Sequence, residues 1–119
     1  MANGGVKADR KVRDELYKAF EAMVKKAMMP GIPIPQRQAL HNRAQELRAQ
    51  WLELESARFN KDAEKFQGAQ LKLAETIADL HKAIQEIDDA IKIAERASKV
   101  FAQVDKLLKV AIKHLPIPL

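Results

Sequence analysis

The most restrictive feature of this sequence is a run of 47 residues, from 69 to 115, that contains neither proline nor glycine. Its first half carries large apolar side chains at alternating intervals of four and three residues: Leu73, Ile77, Leu80, Ile84, Ile87 and Ile91. Side chains at these intervals share one face of an α-helix, and a partner must cover that face along its length. The run therefore predicts one long helix, which we place at residues 61–115.

The apolar rhythm changes in the second half of this run. After Ile91 it continues as Ala94, Ala97, Phe101, Val104, Leu108, Ala111 and Leu115, so two intervals of three follow each other. A skip of this kind overwinds a helix–helix contact locally. A break between Ala94 and Ser98 would create a fourth helix, but no glycine or proline marks a turn there. The sequence thus favours a continuous helix that bends at the skip.

Length and composition indicate a single all-α domain over residues 1–119. A chain of 119 residues is long enough for one hydrophobic core and too short for two ordinary domains. Aromatic residues make up only 5% and there are four glycines, which disfavours a β-rich fold. The absence of cysteine excludes disulfide bonds and thiolate chemistry.

Two shorter helices are predicted before the long one. Residues 8–28 and residues 36–59 each repeat apolar side chains on one helical face. The proline-rich residues 30–35 separate them, because proline cannot continue a helix. Residues 1–7 are predicted to be a flexible tail, and residues 116–119 an extended one. The predicted architecture is an elongated antiparallel bundle of three principal helices with a long C-terminal helix.

The turn between the second and third helices has two candidate positions. Asn60 would cap a new helix, whereas Gly68 would end the preceding one. Phe59 and Phe66 are in phase with Leu73 further along the chain, which favours a break near Asn60.

No arrangement of residues typical of catalysis or metal binding is recognisable. His41, His81 and His114 are not paired with one another or with a glutamate at metal-binding spacing. The serines, Ser56 and Ser98, lie within predicted helices and have no base beside them in the sequence. We therefore predict that the protein is not an enzyme and that it needs no cofactor or metal.

The end of the long helix is apolar over most of its circumference. The two shorter helices together cover its seam only up to about residue 97, because a helix rises about 1.5 Å per residue. An uncovered apolar surface of this extent marks a binding site. The partner-binding side chains predicted here are Val100, Phe101, Val104, Leu107, Leu108, Ile112, Leu115 and Ile117. We accordingly expect a chain shortened to residues 1–99 to fold but to lose its association.

Two further features suit either a structural role or partner contact. Trp51, on the seam of the second helix, is a core residue or an interface anchor. The Ile-Pro strips at residues 30–35 and 115–119 are a helix connector and a helix stop, or stiff docking segments. Stiff segments of this kind lose little entropy on binding.

These features favour a non-enzymatic module for protein–protein interaction, assembly or self-association. The alternative is a secreted, membrane-active protein whose basic amphipathic C-terminal helix binds lipid, because lysines fringe the apolar face. The net charge of +5 lies at the two ends of the chain. No motif or aromatic platform accompanies that charge, which disfavours nucleic-acid binding.

The sequence also bears on localisation. No apolar run approaches the roughly 18 residues of a membrane span. Residues 1–7 lack the apolar region of a secretory signal. We therefore expect either a cytoplasmic protein or one exported without a cleavable signal.

Overall fold

A computed structural model describes residues 5–86 and 89–112, and four α-helices lie within these ranges. They are α1 (Arg10–Ala27), α2 (Ile34–Ser56), α3 (Glu64–Glu86) and α4 (Ala90–Lys109). Extended backbone pairs within the described ranges at one isolated bridge, between Val6 and Phe59. The predicted all-α class is confirmed.

The four helices form two hairpins that pack side by side. α1 packs against α2 and α3, and α4 packs against the same two helices, so α1 and α4 lie diagonally opposite. Short connections make each hairpin antiparallel, and the bundle measures 54 × 29 × 18 Å. We call the end with the α1–α2 and α3–α4 connections the connector pole. The terminal pole, at the other end, holds the α2–α3 turn and both ends of the described chain.

Each helix contributes one apolar face to a common core. Within the described ranges no polar or charged residue is buried. The largest fully buried side chains are Leu16, Met23, Leu40, Leu47, Leu54, Phe59, Leu73, Ile77, Leu80, Ile93, Val100 and Leu107. Burial of one such side chain contributes about 1.5–3 kcal/mol relative to exposure. The last helix therefore belongs to the core as fully as the first three.

The predicted continuous helix at residues 61–115 is wrong, because α3 ends at Glu86 and a separate helix, α4, begins at Ala90. Asp89 is the N-cap of α4, and its carboxylate accepts hydrogen bonds from the amides of Ile91 and Lys92 at 2.9 and 3.4 Å. An aspartate at this position satisfies amides that have no partner within the first helical turn. A new helix therefore begins without a glycine or a proline, and the bundle has four principal helices instead of three.

The break also shifts the buried face of the last helix by one residue. Ile91, which the sequence places on the seam, is exposed, whereas Ala90 and Ile93 are buried. The buried positions then recur at intervals of three and four as Ala90, Ile93, Ala97, Val100, Val104 and Leu107. The apparent skip after Ile91 thus reflects two separate helices with different phases. Residues 94–98, where the sequence analysis considered a break, lie inside α4.

Asp89→Ala is expected to lower the free energy of unfolding by about 1 kcal/mol, because it removes the cap of α4. Asp89→Asn keeps a side-chain oxygen at the cap, so its free energy of unfolding should fall much less. A loss of this size lowers Tm by about 4 °C in a domain of this length. Thermal unfolding followed by circular dichroism measures the difference. Equal melting temperatures for the Ala and Asn variants would contradict the capping role.

The boundaries of the first two helices differ by a few residues from those predicted. Asp9 caps α1 by accepting a hydrogen bond from the amide of Lys11 at 2.9 Å, so the helix begins at Arg10 and not at residue 8. α2 begins at Ile34, with Pro35 in its first turn, and ends at Ser56. The connector between them is therefore residues 28–33 instead of 30–35. The predicted extended tail at residues 116–119 lies outside the described residues.

Residues 5–7, predicted to belong to a flexible tail, are fastened to the terminal pole. Val6 exchanges two backbone hydrogen bonds with Phe59, at 2.8 and 2.7 Å. The Arg58 carbonyl accepts a further one from the amide of Ile112 at 2.7 Å. Gly5 has a φ of +72°, and a Cβ added there would lie 2.5 Å from the Phe59 carbonyl oxygen. This position therefore requires glycine, and the start and end of the described chain are both tied to the α2–α3 turn.

The turn between α2 and α3 lies near Asn60, as the phase of the apolar residues predicts. The Asn60 side-chain oxygen accepts a hydrogen bond from the amide of Asp62 at 3.1 Å, and its carbonyl accepts one from Ala63 at 3.1 Å. Gly68 lies inside α3 and ends no helix. The α2–α3 connection therefore leads directly into the core at Phe59, which is fully buried.

Candidate interaction surface

Four of the eight side chains predicted to bind a partner lie in the core. Val100, Val104 and Leu107 are fully buried, and Leu108 is 7% exposed. The expectation that residues 100–115 project uncovered from the bundle is therefore wrong for the described part of that segment. A partner could contact these four side chains only if α4 left the bundle.

The other members of the predicted site have different surroundings. Phe101 is half-buried, and the Arg43 guanidinium carbon lies 5.7 Å from its ring centroid. Ile112 is exposed at the terminal pole. Leu115 and Ile117 lie outside the described residues. Phe101 and Ile112 are thus the described members of the predicted site that reach the surface.

Trp51, the predicted anchor, is half-buried between the first two helices. Its ring centroid lies 4.7 Å from that of Tyr17, and Tyr17 lies 5.4 Å from Phe20. Tilted aromatic pairs at these distances add to the stability of a packed contact. Trp51 therefore helps to join α1 to α2, and its role as an anchor stays a prediction about the exposed part of the indole.

The connector pole carries an uninterrupted apolar segment. Met28 is 75% exposed, Met29 51% and Ile34 66%. They belong to residues 28–35, Met-Met-Pro-Gly-Ile-Pro-Ile-Pro, which are eight consecutive residues without a polar side chain. We call these eight residues the connector surface. Exposed apolar side chains concentrated in this way mark an interaction site.

The backbone of the connector surface is stiff. Its three prolines have a fixed φ. The guanidinium of Arg37 donates a hydrogen bond to the Ile32 carbonyl at 3.3 Å, which ties the connector to the first turns of α2. A segment held in this way loses little conformational entropy when a partner binds it.

A groove of about 510 Å³ borders the connector surface between α1 and α2. Its lining consists of Val24 and Ala27 from α1, of Met28 from the connector surface, and of Arg37, Gln38, His41 and Asn42 from α2. The α1 wall is therefore apolar, whereas the α2 wall offers hydrogen-bond donors and a positive charge. This pairing suits a ligand that places an apolar group beside a polar or acidic one.

Comparison with known proteins gives no significant match. No protein-family model matches the chain, and neither a curated protein nor a solved structure is significantly similar to it. Its function must therefore be inferred from the described side chains.

His81 and His41 lie in different parts of the bundle. Nε2 of His81 donates to the Glu15 carbonyl at 2.9 Å and lies 3.4 Å from the Glu15 carboxylate, which links α3 to α1. His41 lines the groove, and His114 lies outside the described residues. In the described ranges, no group of three or more His, Asp and Glu side chains is placed to hold a metal ion. That the protein is not an enzyme stays a prediction.

The sequence pointed to the Ile-Pro strip but not to the methionines beside it. Met28 has the spacing of the apolar face of the first helix. However, α1 ends at Ala27, and Met28 and Met29 are both exposed. A usable signal was present in the unbroken length of the apolar segment.

Proposed function

We propose that this protein is a non-enzymatic interaction module that binds a protein partner through the connector surface. One observation carries the proposal: residues 28–35 expose apolar side chains at the pole of a bundle whose helices bury their own apolar faces. Such exposure is unfavourable in water unless another surface covers it. Methionine adds adaptability to the contact, because its unbranched side chain fits irregular partner surfaces.

The connector surface supports this role better than α4 does. The apolar face of α4 lies in the core, so docking through it would disrupt the packing of α2 and α3. Lipid binding by the same helix, the alternative drawn from the sequence, would also require that face to leave the core. No helix in the described part of the chain is long and apolar enough to cross a membrane. The connector surface is available without any rearrangement.

The proposal predicts that polar substitutions in the connector surface weaken partner binding and leave the fold intact. Met28→Ser combined with Ile34→Ser should reduce the affinity at least about tenfold, since central interface side chains contribute upward of about 1 kcal/mol each. A photo-crosslinking amino acid at Met29 reports the contact in cells that produce the protein. The cross-linked yield is compared between the wild-type and doubly substituted backgrounds.

Leu71 provides the matched control for this experiment. It is 64% exposed, close to the 66% of Ile34, but it lies on α3 and away from the connector pole. Leu71→Ser should leave the cross-linked yield from position 29 unchanged. The free energy of unfolding of both variants should lie within about 0.5 kcal/mol of that of the wild type. A yield that is the same in all three backgrounds would refute the proposal.

A further inference from the structure

The connector surface and its groove lie in the most extended carboxylate-free part of the α1–α2 hairpin. Residues 22–45 contain no aspartate or glutamate, and their cations nearest the connector are Lys25, Lys26 and Arg37. Arg43, further along α2, pairs with Glu46 at 2.7 Å. The other hairpin brings Glu86 and Asp89 to the same pole, but the Asp89 carboxylate caps α4. The apolar connector is thus flanked by cations on its own hairpin, and acidic groups lie across the pole on the neighbouring one.

Arg37 is the cation best placed to act on a bound partner. Its hydrogen bond to the Ile32 carbonyl holds the guanidinium beside the connector and uses one N–H group. A guanidinium carries five N–H groups in a planar fork that matches a carboxylate. The same side chain lines the groove opposite Val24 and Ala27. An acidic group on a partner would therefore meet Arg37 while an apolar group enters the groove.

We infer that the connector surface binds an acidic amphipathic helix of a partner protein, an inference that rests on the proposed function above. The apolar face of that helix covers Met28, Met29 and Ile34, and its flanking carboxylates face Arg37 and Lys25. This is the helix-in-groove mode of recognition, in which apolar anchors supply affinity and charge supplies selectivity.

Charge also argues against a second copy of this chain as the occupant. In a symmetric dimer whose two-fold axis passes through the connector surface, the cations beside that surface, Lys25 and Arg37, would lie close to the same cations of the other copy. A lipid bilayer would meet the exposed apolar side chains of the connector, but it would leave the groove between α1 and α2 unused. An acidic helix uses the apolar segment, the groove and the cations together.

The inference is tested with three synthetic amphipathic peptides of about 18 residues, a length at which a helix becomes stable enough to use. They share one leucine face and differ only in the flanking residues, which are glutamate, glutamine or lysine. Binding to the full-length protein is measured by fluorescence anisotropy at about 0.15 M salt, where long-range charge effects are screened. The glutamate peptide is expected to bind at least about tenfold more tightly than the lysine peptide, and the glutamine peptide in between.

Substitutions assign this selectivity to the site. Arg37→Glu should reverse the preference between the glutamate and lysine peptides. Lys72→Glu, which makes the same change in net charge on the exposed surface of α3, should leave it in place. Ile34→Ser should lower the affinity for all three peptides by a similar factor, because it removes an apolar side chain that each of them contacts.

The possible results separate this inference from the proposed function. If the three peptides bound with equal affinity and Ile34→Ser abolished that binding, the inference of an acidic partner would be overturned. The proposed function as an interaction module would be retained. If the Ile34→Ser and Arg37→Glu variants both still bound the glutamate peptide more tightly than the lysine peptide, the preference would reflect general attraction to a basic protein. That result would overturn the inference. Ile34-dependent binding to phosphatidylserine vesicles without binding to the glutamate peptide would overturn it in favour of a lipid surface.

Discussion

Leu47→Asp is expected to abolish cooperative folding. Leu47 is fully buried in the middle of α2, and the described ranges contain no buried charged residue that could pair with a carboxylate at that position. An unpaired charge in an apolar core is destabilising by several kcal/mol. The total stability of a domain is only about 5–15 kcal/mol. Urea titration followed by circular dichroism should show no cooperative transition.

Two companion variants control for this effect. Leu47→Met keeps the volume and the apolar character of the site, and should cost less than about 1.5 kcal/mol. Lys92→Ala changes an exposed side chain in the first turn of α4 and should be nearly neutral. If Leu47→Asp retained a transition like that of Lys92→Ala, the buried face of α2 would be assigned wrongly.

Deletion of residues 100–119 is expected to unfold the protein, opposite to the expectation from sequence alone. The deletion removes Val100, Val104, Leu107 and Leu108, all of which are buried. Together these four side chains contribute about 6–12 kcal/mol of apolar burial. That is comparable with the whole stability of a domain, about 5–15 kcal/mol. The deletion also removes the hydrogen bond from the Ile112 amide to the Arg58 carbonyl.

A chain that ends at Ile112 is the control for this deletion. It retains every described contact of α4, so comparison of the two truncations isolates the contribution of residues 100–112. The measurements are helical content and the thermal unfolding transition of each protein. A protein ending at Lys99 that unfolds cooperatively near the wild-type temperature would show that α4 is dispensable for the core.

Much of the fold was accessible from local patterns. The apolar residues of α1, α2 and α3 recur at helical spacing, and the periodicity that predicts Leu47, Leu73, Ile77 and Leu80 as buried is confirmed. The turn near Asn60 is also confirmed. It was predictable because Phe59 and Phe66 have the helical spacing of the apolar residues that follow in α3. These features depend on residues close in sequence, and a single chain records them directly.

The candidate site was accessible only in part. The Ile-Pro strip was visible as a stiff apolar segment, but its exposure is a property of the neighbours that do or do not cover it. α1 ends at Ala27 and exposes Met28, whereas the equally apolar end of α4 packs against α2 and α3. Apolar character alone did not distinguish these two segments. It shows that burial of a segment would be favourable, but it does not show whether another part of the chain packs against that segment.

By itself, the sequence determined that the chain is helical, where prolines separate the first helix from the second, and which faces of the first three helices are apolar. The tertiary structure decided that the 47-residue run holds parts of two helices, α3 and α4, and that α4 belongs to the core. It also decided that Met28, Met29 and Ile34 of the connector are exposed to solvent. The physical reason is that helical periodicity arises from neighbours three and four residues apart, whereas the length of a helix in a small bundle depends on how much partner surface can cover it. A single helix of 47 residues would extend about 70 Å, but the bundle is 54 Å long, so Asp89 caps a new helix and the chain folds back onto itself.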